Sequence, residues 1–397
     1  MKNITFIRKW AAVVLLQWLF CITTLYAEDR FPVFAFNGIP PSHATRAYYK
    51  DMAAAGFNIS LTICKDMQEV QKVLDAARGT GVRIAVVGDD IRDRSKQFVE
   101  RFGNDEALYG YYIYDEPRMT DLKEAKIYID RIRRYDKTRP CYMNLYPNYD
   151  EGTVKTIGVK DYSDYLKAAS ELDLPFISFD YYPIANNEVR KTWYKNLEDV
   201  RIESLRTGKP CWAFVLATAH NDYPIPTLPM LRLQVYSNLA YGAKGIEYFT
   251  YWTPEPTKVW NYNNGPITVD GKKTATYNLV KRMNKEMMPI AQYFMEAEVK
   301  EIVHLGNVPR GAKKLKYLPS GFRKFHTSGS DGLIISSLSL KDKNYLMVVN
   351  RDFKRTAHVT IDCNSSVKQF TKQLRTVSAS IKYDIQPGDI IMFVSSK

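Results

Sequence analysis

Apolar residues along this chain fall into two textures. From residue 31 onward, short runs of aromatic and β-branched residues alternate with longer stretches whose apolar positions recur at helical spacing. The runs are FPVFAFNG from Phe31, FNISLTI from Phe57, VRIAVVGDD from Val82, LYGYYIYDEP from Leu108, PCYMNLYP from Pro140, PFISFDYYPI from Pro175, PCWAFVLATAH from Pro210 and GIEYFTYW from Gly245. They recur at intervals of about 25 to 35 residues, as successive strand–helix units do. Between them lie helical patterns such as MQEVQKVLDAARGTG and LPMLRLQVYSNLAYGA. Eight such units predict a (β/α)8 TIM barrel over residues 28–296. An open doubly wound sheet would usually carry a Gly-rich phosphate loop after its first strand, and FNGIPPSHAT is not one. Past residue 296 the runs shorten and alternate, as in GLIISSLSL, NYLMVVNRD and HVTIDC, which predicts a small C-terminal antiparallel β-sandwich over residues 297–397. No internal repeat or low-complexity linker separates the two parts, so rigid packing is expected.

Composition changes this picture at one end. Residues 1–27 combine a basic start (Lys2, Arg8, Lys9) with an apolar run and a small residue, Ala27, ahead of Glu28 and Asp29. That is the layout of a secretory signal peptide, and it predicts an exported protein, periplasmic, at the cell surface or extracellular. An uncleaved membrane anchor is the competing reading of the same segment. No other apolar run approaches the roughly 20 residues of a membrane span, so no span is expected in the mature chain. The net charge is +13, of which the signal carries three cations. That excess could attract an acidic polymer, but the cations read as scattered, without a block of five or more, and an ordinary solvated surface is the preferred reading. Nucleic acid is not an expected partner, because no basic–aromatic motif is present. Cys64, Cys141, Cys211 and Cys363 have neither CxxC nor Cys/His spacing, so no metal and no cofactor is expected.

In a barrel of this kind the working residues sit at the carboxyl ends of the strands. Read in order, those ends give Asn37; Lys65 and Asp66; Asp89 and Asp90; Asp115 and Glu116; Asn144 and Tyr146; Asp180 with Tyr181 and Tyr182; Thr218 and His220; and Tyr251 with Trp252. Carboxylates, amides and aromatic rings without a Cys/His nucleophile set suit sugars. Glycosidic cleavage needs a carboxylic acid to protonate the leaving oxygen and normally a second carboxylate. Glu116 is the candidate acid, since the end of an apolar strand and the neighbouring Asp115 charge both raise its pKa. The competing reading makes Asp115 and Glu116 caps of the helix that follows Pro117.

The stretches YGYYIYDEP and QVYSNLAYGAKGIEYFTYWTP resemble the barrels of bacterial glycoside hydrolases related to the family 42 β-galactosidases, over roughly residues 30 to 295. The PGDIIMF ending is similar to the β-domain that often follows them. The resemblance implies Glu116 as acid/base and Trp252 as a platform under the sugar. Asn37, Asn144, Tyr146, Tyr182, His220 and Tyr251 are the further substrate-binding candidates. One departure stands out: the clan places its nucleophilic glutamate at the end of strand seven, where this chain has Thr218, His220 and Asp222. Glu247, early in strand eight, and Asp180, ending strand six, are candidate substitutes. The adjacent Asp115-Glu116 is also similar to the pair of substrate-assisted hexosaminidases of families 20 and 123. There the glutamate is the acid, the aspartate steadies the substrate's own N-acetyl group, and a tyrosine (here Tyr181 or Tyr182) binds its oxygen. The expected function is an exported glycoside hydrolase acting on a polysaccharide or glycan. The alternative is a catalytically inactive carbohydrate-binding protein on the same barrel.

Overall fold

The computed structural model describes residues 30–396, and the export segment expected at residues 1–27 lies outside them. Eight parallel strands close into a barrel: β1 (Val33–Phe36), β2 (Ile59–Ile63), β3 (Arg83–Val87), β4 (Leu108–Asp115), β5 (Cys141–Leu145), β6 (Ile177–Phe179), β7 (Cys211–Leu216) and β8 (Gly245–Phe249). Each strand lies beside its sequence neighbours, and β8 closes on β1 with Val33 opposite Ile246 and Phe36 opposite Phe249. Every one of the eight predicted runs supplies one barrel strand. The intervening helices begin where a short polar side chain caps the free N–H groups: Thr45, Asp66, Asp150, Asp161, Thr227 and Thr274 each accept from a backbone N–H of the first turn. Among the described residues no helix is long and apolar enough to cross a membrane.

The barrel interior is aromatic. Phe34, Tyr109, Tyr142, Phe176 and Trp212 fill its lower half, with Phe176 and Trp212 stacked at 3.8 Å. Above them Tyr182, Phe214 and Leu216 pack with Phe36 and Phe249 under the mouth. The four tyrosines of β4 point different ways. Tyr109 and Tyr112 face inward, while Tyr111 faces the helices and donates to Asp136 at 2.6 Å. Between Tyr112 and Tyr114 the register with β5 shifts by one residue. Such a bulge re-aims the strand end. Ile113 and Tyr114 both pack on the helix side as a result, and Asp115 turns into the mouth beside Asn144.

From Glu298 to Ser396 the chain forms a six-stranded and a three-stranded antiparallel sheet. Val303, Phe325, Leu333, Val348, Ile361 and Phe393 fill the space between them, which makes the predicted sandwich. The outer face of the larger sheet joins the barrel's core through Leu338, Tyr345, Met347, Met392 and Val394. The helix Leu228–Ala240 lies between barrel and sheet and is buried from Met230 to Ala240 for that reason, all but Arg232, which pairs with Glu286. Cys64, Cys141 and Cys211 are buried, and all four described cysteines are unpaired.

Candidate active site

The mouth is built on β4 and β6. Past Asp115 the backbone of Glu116 takes a left-handed conformation (φ +46°), a strained state for a non-glycine residue that costs about 1–3 kcal/mol. Two contacts hold it: the Glu116 N–H donates to the Asn144 carbonyl at 3.1 Å, and the buried Tyr165 hydroxyl donates to the Pro117 carbonyl at 2.6 Å. The next helix does not start until Leu122, and Asp121 receives the Arg118 N–H. Asp115 and Glu116 are therefore not its caps.

Three carboxyls meet there. Asp180, at the end of β6, hydrogen-bonds Glu116 side chain to side chain. Burial raises Glu116 to about 7; the hydrogen bond from Asp180 opposes that shift and the Asp115 charge adds to it. Burial, then the charges of Glu116 and Asp115, push Asp180 well above the usual carboxylate range, so Asp180 is the member that keeps its proton and donates. Water reaches Asp115 through the open mouth, yet protein crowds its flanks, and that crowding raises its pKa against the bonds it makes. The Tyr112 hydroxyl lies 2.9 Å from Asp115 and also contacts Asn144 Oδ1, fixing both. Asn144 Nδ2, Asp180 Oδ1 and the Tyr182 hydroxyl are buried without a partner in the protein. Buried polar atoms are rarely left so, and these three border the carboxyl group. Tyr146 stands half-buried beside Glu116 and Asp180, with Arg118 on its hydroxyl.

Other predicted site residues are placed differently. Glu247 is fully buried (0% exposed) inside the barrel below the mouth, where it accepts from Ser178 at 2.5 Å and faces Tyr142. Burial raises it to about 8, and sealed beneath the aromatic layer it cannot meet a sugar. Tyr251 points outward onto Phe57, in the layer between strands and helices, because it follows inward Phe249 by two residues across an irregular strand end. Tyr181 also points outward, to the Thr192 hydroxyl at 2.7 Å, which leaves Tyr182 as the tyrosine in the mouth. Trp252 is not under Glu116. It packs on His43 (4.9 Å) and Tyr48 (5.5 Å), with its indole N–H on the Val269 carbonyl. Asn37 is pinned to it by paired bonds, Nδ2 to the Trp252 carbonyl and the Trp252 N–H back to Asn37. Both line a cleft of about 340 Å³ over the ends of β1, β2 and β8, across the mouth from β4. His220 binds the Thr218 carbonyl and is boxed by Tyr223, Phe249, Trp260 and Tyr262, and burial lowers its pKa. Thr218 itself is buried against Thr250.

Sequence reasoning missed the loop after β8. Tyr262 reaches over His220 toward Asp115, and Trp260, still 42% exposed, stacks on it at 6.1 Å with 18° between planes. Phe36, Tyr223 and Phe249 complete an aromatic wall facing the three carboxyls. The available signal was two aromatic residues set among asparagines in the loop KVWNYNNG.

Comparison with known proteins fits this geometry. The β-galactosidase family model Glyco_hydro_42 matches residues 97–290, which span β4 to β8. The structure is similar to β-galactosidase from Bacillus circulans sp. alkalophilus at 10% identity and a TM-score of 0.63, covering 93% of this chain and 100% of that one. It is also similar to a family 5 glycoside hydrolase from Bacteroides vulgatus at 13% identity and a TM-score of 0.56, covering 92% and 89%. The β-galactosidase of the psychrophilic Marinomonas ef1 aligns at 11% identity and a TM-score of 0.49 over 66% of this chain, which spans 60% of that chain's length. No protein of curated function matches. The fold is thus a closed TIM barrel with C-terminal antiparallel sheets, and the chain resembles the family 42-like glycoside hydrolases at low identity, as its motifs imply.

Proposed function

We propose that this chain is an exported glycoside hydrolase in which Glu116 is the general acid. The observation that carries the reading is the hydrogen-bonded pair of Glu116 and Asp180 at the barrel mouth, with Glu116 raised to about 7. A carboxyl whose pKa lies near 7 keeps part of its proton population at neutral pH and can deliver a proton to a glycosidic oxygen as the C–O bond breaks. Asp180 keeps its own proton and donates to the carboxylate that Glu116 becomes, which makes it a positioning residue. Asp115, fixed by Tyr112 and Asn144, is the anion for the positive charge that develops at the anomeric carbon. Water then completes hydrolysis and returns the proton to Glu116. Phe249 and Tyr262, half-buried at the mouth, offer ring faces to the apolar side of a pyranose.

No carboxylate of β7 stands opposite Glu116 among the described residues, and Asp180 in direct contact with Glu116 is too close for the roughly 5–5.5 Å of a retaining pair. Those two facts favour Asp115 acting through the substrate's own N-acetyl group, with Tyr182 at its oxygen. The retained acid pair weighs against a binding-only protein. The test is Glu116→Gln on a panel of aryl and natural glycosides. Turnover should fall by about 10²–10⁴-fold with binding kept, because only proton delivery is lost. Unchanged turnover would end the proposal.

A further inference from the structure

The chain between Ile302 and Ser330 contains no Asp or Glu but carries Arg310, Lys313, Lys314, Lys316, Arg323 and Lys324. Arg323 is gripped by Asp362 across the smaller sheet, and Lys324 lies opposite the same residue. The other four are not neutralised. Lys313 has only Glu198, at 3.8 Å, and both oxygens of Glu198 are already held by Arg201. Arg310, Lys314 and Lys316 are exposed and form no ion pair among the described residues. Beside them Tyr317 is 88% exposed, the most open large apolar side chain among the described residues.

This loop is held in shape. The His304 N–H donates to the Lys313 carbonyl at 2.7 Å, and the Leu315 N–H returns to the His304 carbonyl at 2.8 Å, so the segment is stitched along the edge of the sandwich. Its cations are displayed rather than trailing, and less order is lost when they meet a ligand.

It also stands at the working end of the barrel. Gly311 (φ +81°) approaches Lys195 so closely that a Cβ would lie 3.0 Å from the lysine side chain, and Lys313 reaches Glu198. Both contacts fall on the first turns of the helix Trp193–Thr207. That helix starts at the mouth, where Thr192 donates to the Tyr149 carbonyl and meets the Tyr181 hydroxyl. Just before this helix Arg190 lays its guanidinium over Tyr149 (4.7 Å) and Tyr223 (5.5 Å), pairs with Asp222 at 3.5 Å, and through Tyr223 adjoins Tyr182 of the site. The exposed cations and open ring of residues 310–318 therefore form a strip beside the mouth-side turns of the helix that follows β6, the strand that ends at Asp180.

We infer that this strip is a track for an anionic glycan, a polymer bearing uronate carboxylates or sulfate esters that reaches Glu116 across it. The lysines and arginines pair with the sugar anions, and Tyr317 stacks on a ring face. The field of clustered cations beside a cleft concentrates such a polymer there. The inference rests on the glycosidase reading for its direction toward Glu116, whereas polymer binding is measurable without turnover.

The test is affinity electrophoresis of the full chain carrying Glu116→Gln, through gels holding polygalacturonate, dextran sulfate or a neutral galactan. We expect retardation in at least one anionic gel and none in galactan, and which anionic gel retards separates uronate from sulfate. The triple change K313S/K314S/K316S should weaken that retardation about tenfold, as three screened surface pairs predict. Tyr317→Ala should weaken it as well, and in the Glu116-intact protein the triple change should leave hydrolysis of a small neutral aryl glycoside unaltered. Equal migration in all three gels, or retardation indifferent to the three lysines, overturns the inference. So does lysine-dependent binding to phosphatidylserine vesicles without glycan binding, which would make the strip a lipid surface. Lysine-dependent polymer binding by a wild-type chain that hydrolyses no glycoside would leave the track standing and remove the glycosidase reading.

Discussion

Asp180 and Glu116, brought from two strands that are not adjacent, meet carboxyl to carboxyl in a hydrogen bond at the barrel mouth. Because Asp180 donates to ionised Glu116, it lowers the pKa of Glu116 relative to what burial alone would set. Asp180→Ala should therefore move the alkaline limb of the kcat/KM profile to higher pH, while Asp180→Asn, which keeps a donor, should hold it. In the unaltered protein that limb should fall through about pH 7. Identical profiles for the two variants would show that Asp180 does not act on Glu116.

Asp115 acting through a substrate acetamide makes a sharper demand. Aryl N-acetylhexosaminides should be cleaved and the matching aryl hexosides, lacking the acetamido group, should not. Asp115→Asn should cut the former by roughly 10²-fold, as loss of an electrostatic partner of the transition state does. Faster cleavage of a simple galactoside would exclude the acetamide route.

Glu247 should prove structural. Its ordinary carboxyl pKa is 4.5 and its folded value about 8, so the folded state holds the extra proton between those limits. Stability contributed by the protonated form is complete below about pH 4.5 and is lost as pH rises through about 8. Glu247→Gln, which can still accept from Ser178, should melt higher than the parent at pH 8 and converge with it near pH 4.5. Turnover at pH 6 should change by less than about twofold, within the range of a site that touches no substrate. A large loss of turnover with intact folding would return Glu247 to the chemistry.

Trp260 is exposed and stacked, so Trp260→Ala should raise KM by roughly threefold to tenfold with little change in kcat, the loss of one ring contact. Steady-state kinetics on an oligosaccharide rather than an aryl monosaccharide would register it.

The barrel was legible because eight apolar runs at regular spacing leave few other ways to bury them, and the place of Asp115 and Glu116 followed from counting strands. What alternation could not show was the bulge in β4. It also could not show the twist of the β8 end, which sends Tyr251 outward and parks Trp252 against His43 and Tyr48. Asp180 was in view as a strand-end carboxylate, but its contact with Glu116 spans 64 residues of sequence and depends on barrel closure. Tyr262 and Trp260 sit in a loop without periodicity, where sequence gives residue types and no direction. The cation-rich loop escaped notice because counting consecutive like charges overlooks a long stretch whose distinction is the absence of acids.

The shared core of barrel and sandwich bears on how the protein comes into being during synthesis. Strand Ile390–Ser396 lies inside the six-stranded sheet, paired with Lys343–Asn350, and its Met392 and Val394 pack in the same core as the helix Leu228–Ala240. Until that late strand has left the ribosome, one wall of the barrel has no cover. The nascent chain must then hold all eight barrel strands with the helix Leu228–Ala240 still uncovered on its sheet side.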